Sequence, residues 1–233
     1  MNCTIDEKIY QEFRKALNAT NVFGCEKEYV ELYNLGYALL DRMEKCVGYI
    51  NAHTMIPNSE EEFLLLMMYG SMVVDAVKLV LHLLEVEHPY TRDSQTTYSY
   101  FADVCEEHNL ILPDGKIPTD DKVWEYIRSL SFAHPFETSR AKFLKKGETQ
   151  YSPAIIPYAE PQLWQTNAEP TIDVMIYSTA FPEIKHLNIP YDRIIGYIGS
   201  RYQLLSLGTE KIKQIIEEKK QEWAKQKVQV STN

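Results

Sequence analysis

FLLLMMYGSMVVDAVKLVLHLL, residues 63–84, is apolar enough to suggest a membrane span. A spanning helix needs ~20 consecutive apolar residues. Here Asp75, Lys78 and His82 interrupt the run, and its uncharged part ends at Val74, too early to cross. The stretch therefore reads as the core helix of a folded domain. Pro57-Asn58-Ser59 breaks the chain ahead of it. Ser59-x-x-Glu62 has capping-box spacing, and Glu60, Glu61 and Glu62 suit a helix N-terminus. His88-Pro89 ends the helix.

Upstream, residues 26–51 place Leu32, Leu35, Gly36, Leu39, Leu40, Met43, Val47 and Ile50 on one broad face, the pattern of a second long helix. Two long helices joined by a short turn predict an antiparallel pair. Ser71, Asp75, Lys78 and His82 form a polar stripe at helical spacing. It reads either as a solvated face or as the wall of a polar cleft.

Thr4-x-x-Glu7 opens a short amphipathic helix carrying Ile5, Ile9, Phe13 and Leu17. Residues 95–109 read as another helix and 112–116 as a turn. Beyond residue 146 the character changes. Residues 150–158 and 171–178 are rich in β-branched and aromatic side chains, and the second segment alternates like a half-buried strand. Pro157 points to an edge strand. Helical pattern returns at 190–207, and the last helix, from Glu210, is dense in Lys and Glu.

The expected fold is mainly α: a helical bundle around two long antiparallel helices, with a small β-hairpin or strand pair inserted near 150–178. Residues 1–207 form a single domain. Residues 208–233 form a charged C-terminal helix and frayed tail, whose thin apolar stripe (Ile212, Ile215, Ile216, Trp223) suits pairing with another subunit or a protein partner.

The 233 residues suffice for a sizeable core. The formal charge of −9 counts against tight, non-specific binding to nucleic acid, although not against a local basic cleft. Cys3, Cys25, Cys46 and Cys105 make no CxxC pair and no zinc spacing, and the N-terminus has no apolar signal core. Free thiols in a cytoplasmic protein without a metal or cofactor are the expectation. No P-loop, GxGxxG, HExxH or GxSxG is present.

The chemistry concentrates in TDDKVWEYIRSLSFAHPFETSR, residues 119–140. Thr119 reads as an N-cap, Asp120 and Asp121 as the first turn, and Pro135 as the stop. Val123, Ile127, Leu130 and His134 share one stripe, with Arg128 beside it. Over six steps a regular helix rotates ~600°, leaving Arg128 and His134 about 120° apart. Only a turn imposed by Pro135, or a second subunit, brings the two together. Otherwise His134 is a core histidine and Arg128 a surface or interface arginine.

The run RSLSFAH, Arg128 to His134, resembles the Arg-x(4–6)-His signature of the HEPN superfamily. These are small all-α bundles, many of them metal-independent endoribonucleases of toxin and anti-phage systems, while others are inactive interacting proteins. Ser129 is polar, as the position after the arginine usually is, but is not the usual Asn, Asp or His. The resemblance covers roughly residues 26–146. It implies that Arg128 binds the scissile phosphate of RNA and that His134 acts as general acid or base, in a cleft shared by a homodimer. Ser129, Ser131 and Glu137 would then be substrate-binding neighbours. A catalytically inactive interaction protein of the same fold is the alternative, and a small-molecule pocket near the strands is a third reading.

Overall fold

The computed structural model describes residues 5–53, 55–88, 95–139, 141, 144–158 and 170–231. Eight α-helices occur among them: α1 (Lys8–Leu17), α2 (Val22–Cys25), α3 (Val30–Ala52), α4 (Glu60–Leu83), α5 (Ala102–Glu107), α6 (Asp120–Arg128), α7 (Tyr191–Gln203) and α8 (Leu205–Ser231). Four strands join them: β1 (Gln150–Tyr151), β2 (Ile155–Tyr158), β3 (Thr171–Ser178) and β4 (Phe181–Pro190).

The mainly α expectation is corrected by this sheet. The protein is mixed α/β, with a four-stranded antiparallel sheet. The central strand is β3. It pairs along its whole length with β4, while β1 and β2 lie along its other edge. Pro157 does sit in an edge strand, β2, opposite Ile172. β4 is not legible in the sequence because Pro182 to His186 are exposed and only Leu187 and Ile189 turn inward. A strand with half its length in water shows period-2 alternation over too few residues to be seen.

Two compact units divide the chain. One comprises residues 1–4, 49–71 and 89–199, and the other residues 5–48, 72–88 and 200–233. In the second unit, α1 packs on α8. Phe13, Leu17, Val22, Phe23, Val77, Val80 and Ile212 are buried there. α8 begins at Leu205 and runs through Gly208. A Cβ at Gly208 would come within 3.3 Å of Phe13 and Val80, so the glycine permits close helix approach. The Tyr202 hydroxyl accepts from the Tyr10 N–H (3.1 Å) and donates to the Asp6 carbonyl (3.0 Å), tying the N-terminal helix down. The Ile212, Ile215 and Ile216 stripe of α8 is buried.

In the first unit the inner face of the sheet carries Ile172, Val174, Ile176, Leu187 and Ile189, all buried with Phe63, Leu66, Phe101 and Ile194. Trp124 stacks on Tyr197 (centroids 4.8 Å apart, planes at 27°), both enclosed. Gly70 lets the Ile198 side chain approach α4.

The antiparallel order of α3 and α4 is visible in their contacts: Cys46 Sγ lies 4.0 Å from Met72 Sδ, while the later Tyr49 meets the earlier Tyr69. The serine half of the Ser59 capping box forms, while Glu62 reaches one residue further back than the box requires. Ser59 Oγ accepts from the Glu62 N–H (3.3 Å), and the Glu62 carboxylate accepts from the Asn58 N–H (2.9 Å). By composition α4 is long and apolar enough to cross a bilayer (mean hydropathy 1.9), yet 56% of that window is buried inside the protein, as in a core helix. Of its polar stripe, Ser71 is buried, whereas Asp75 and His82 are exposed. The helix expected over 95–109 is a 3-10 turn (Gln95–Tyr98) followed by the short α5. The Thr4 box and the loop at 160–169 lie outside the described residues.

Candidate site at the end of helix α6

Thr119 has the extended backbone of an N-cap (φ −67°, ψ 157°), but its side chain makes no capping hydrogen bond. The residue beside it does the structural work. Asp120 is buried (1% exposed), and its carboxylate accepts from the N–H groups of Ser99 (2.8 Å), Tyr100 (3.1 Å) and Phe101 (2.9 Å). Those donors precede α5, where backbone N–H groups have no helical partner. Asp121 accepts from the Tyr197 hydroxyl (2.9 Å). Val123, Trp124, Tyr126 and Ile127 then face the core.

Regular α-helix ends at Arg128. Ser129–Ala133 is a π-helical turn, closed by the His134 N–H donating to the Ser129 carbonyl five residues back (2.9 Å). Two sequence features promote it. The Ser131 hydroxyl donates to the Ile127 carbonyl (2.8 Å), competing for an acceptor of the helix ladder. Pro135 excludes the α region at His134, which adopts φ −148°, ψ 52°. The Thr138 hydroxyl then donates to the His134 carbonyl (2.9 Å) and pairs with Ser129 Oγ (3.1 Å).

The segment after His134 runs beside β1. The Ser152 N–H donates to the Pro135 carbonyl (2.8 Å), and Thr138 and Gln150 exchange backbone hydrogen bonds (2.9 Å each). Beneath them lies a buried polar network. The Tyr126 hydroxyl donates to Gln150 Oε1 (2.5 Å), and Gln150 Nε2 and the Ser178 hydroxyl both donate to Glu148 Oε1 (2.8 Å). Glu148 Oε2 accepts from the Lys145 N–H (2.9 Å). Burial alone would raise the Glu148 carboxyl, but the Lys145, Ser178 and Gln150 donors and the nearby Lys185 charge hold it below the usual carboxylate range. The Tyr126 phenol is pushed upward by burial and by the charge on Glu148.

His134 is exposed, against the expectation that it shares the buried stripe of Val123, Ile127 and Leu130. The π turn breaks the period before the stripe reaches it. Arg128 is half-buried, with its guanidinium 5.9 Å from the centre of the Phe132 ring. Ser131 is buried with its hydroxyl donating to the Ile127 carbonyl, while Ser129 is half-buried with its hydroxyl paired to that of Thr138. Glu137 is exposed, three residues from His134, and its N–H donates to the His134 carbonyl (3.1 Å).

Sequence reasoning missed two polar groupings: Asp120 as an anchor, and the sheet pair of buried Asp173 with His186 (Oδ2 to Nδ1, 2.8 Å). For the second, alternation in residues 171–178 puts Asp173 on the outward face but gives no partner, because β4 shows no strand period of its own. Arg201 is buried (1% exposed), with Nη1 donating to Ser200 Oγ (3.1 Å). Among the described residues no group of three or more His, Cys, Asp or Glu side chains is placed to hold a metal ion.

Comparison of the chain with protein-family models, curated proteins and solved structures finds no match.

Proposed function

We propose that the protein is a HEPN-like, metal-independent endoribonuclease of the cytoplasm, acting as a homodimer in a toxin or anti-phage setting. The observation that carries the reading is the π-helical turn between Arg128 and His134. Such turns are rare and concentrate at functional sites. This one directly precedes a solvent-exposed histidine, where a regular helix would continue the buried stripe.

In the proposed reaction the Arg128 guanidinium binds the scissile phosphate through two N–H donors and offsets the negative charge that grows in the transition state. The RNA 2′-oxygen attacks phosphorus and the bond to the 5′-oxygen breaks, leaving a 2′,3′-cyclic phosphate and a 5′-hydroxyl. His134 transfers protons: as base it takes the 2′-hydroxyl proton, and as acid it protonates the leaving oxygen, a role shared with its dimer counterpart. In this reading Glu137, exposed three residues further on, orients His134. The contact of Arg128 with Phe132 favours a second reading, an inactive interaction protein in which the arginine is a packing residue.

The test incubates wild type, Arg128→Ala and His134→Ala with mixed RNA in the presence of a chelator. Wild type is expected to accumulate fragments ending in cyclic phosphate, and each variant to fall by at least about 100-fold, the scale of general acid–base catalysis. Equal product from all three would leave the interaction reading.

A further inference from the structure

Among the described residues eleven large hydrophobic side chains are exposed, and three of them are aromatic: Phe136 (79% exposed), Tyr151 (38%) and Tyr177 (45%). All three belong to one region. Tyr151 and Tyr177 are register partners on β1 and β3. Directly opposite residues of an antiparallel pair present side chains on the same face, with Cβ atoms ~5 Å apart. Phe136 lies in the segment bonded to β1 through Pro135–Ser152 and Thr138–Gln150, the same segment that begins at His134.

Cations border this patch. Lys145 and Lys146 are exposed on the turn leading to β1. Lys185, exposed on β4, has the buried Ile176 as its register partner and so belongs to the other face of the sheet from Tyr177. The Glu148 carboxylate is held in internal hydrogen bonds, leaving Glu137 and Glu183 as the exposed acids of these segments. A chain of charge −9 is ill suited to gripping a duplex through many phosphates. Stacking of unpaired bases on aromatic faces needs few charges and tolerates any sequence. Bases inside an RNA duplex do not offer their faces.

We infer that Phe136, Tyr151 and Tyr177 form a stacking platform for unpaired bases of single-stranded RNA beside the Arg128–His134 site. The inference rests on the nuclease reading of that pair and specifies its substrate as single-stranded.

The test uses full-length His134→Ala protein, so that bound RNA survives, and a fluorescein-labelled oligouridylate, alone or annealed to oligoadenylate. Fluorescence anisotropy is expected to show at least about tenfold tighter binding of the single strand. Adding Tyr151→Ala or Tyr177→Ala weakens that binding by about tenfold each, the effect of losing one stacked base. Tyr151→Phe and Tyr177→Phe keep the affinity, and circular dichroism confirms that all variants are folded. Equal affinity of the alanine variants and their parent overturns the inference, as does equal binding of strand and duplex or no binding at all. Arg128-dependent cleavage with tyrosine-independent binding removes the platform alone. Tyrosine-dependent binding without cleavage by wild type removes the nuclease reading and keeps the platform.

Discussion

His134 leaves the helix because a proline follows it, and it reaches solvent because the preceding turn is widened by one residue. The residues that hold this arrangement are not the ones proposed to react. Thr138 ties the His134 carbonyl and Ser129 together, and the Tyr126–Gln150–Glu148–Ser178 network supports the strand beside them. Glu148 has a pH consequence. Its folded-state carboxyl is held below the ordinary value, so its ionised form stabilises the fold. That stabilisation is fully present above the unfolded carboxyl value and is lost as pH falls through the lower folded value. Urea midpoints are therefore expected to drop across the acidic range in wild type. Glu148→Gln should be less stable at neutral pH and show a shallower acid dependence; identical pH profiles would contradict this role.

At the scale of the element, two helical glycines, Gly48 and Gly70, should respond to substitution in opposite ways. Gly48 of α3 is exposed, and an added Cβ would meet nothing within 4 Å. Gly48→Ala is expected to raise unfolding free energy by about 0.5–1 kcal/mol, the helix-propensity gain. Gly70 of α4 has the Ile198 side chain 2.5 Å from where a Cβ would stand, with Trp124 behind it at 3.5 Å. There overpacking of about 1–3 kcal/mol outweighs the propensity gain, so Gly70→Ala should be net destabilising by about 1 kcal/mol. Denaturant unfolding of the two variants checks both signs.

At the scale of the whole molecule, burial sorts the thiols. Among the described cysteines Cys25 is exposed, whereas Cys46 and Cys105 are buried and none is in a disulfide. Burial raises the Cys46 thiol, and burial with the nearby Asp120, Asp103 and Glu106 carboxylates pushes Cys105 up to about 12. Thiolate is the reactive species. Alkylation of native protein followed by peptide mapping is expected to mark Cys25 within minutes, and Cys46 and Cys105 only after denaturation. Native-state labelling of Cys105 at the rate of Cys25 would mean that the first unit opens readily.

The sequence by itself determined the elements whose periodicity runs uninterrupted: α3, α4 with its Ser59 cap, β3, and the proline that expels His134 from the helix. Local chemistry decides those features, because apolar spacing, capping and proline sterics act within a few residues. Only the tertiary structure decided the rest. It added β4, whose exposed half hides the strand period, and so turned an expected helical bundle into a mixed α/β protein. It made Asp120 an anchor for donors about twenty residues earlier in the chain, and it buried the α8 stripe. It also exposed His134 beside a sheet that brings Tyr151 and Tyr177 together. Each of these depends on hydrogen bonds or packing between residues far apart in the chain, which no local pattern records.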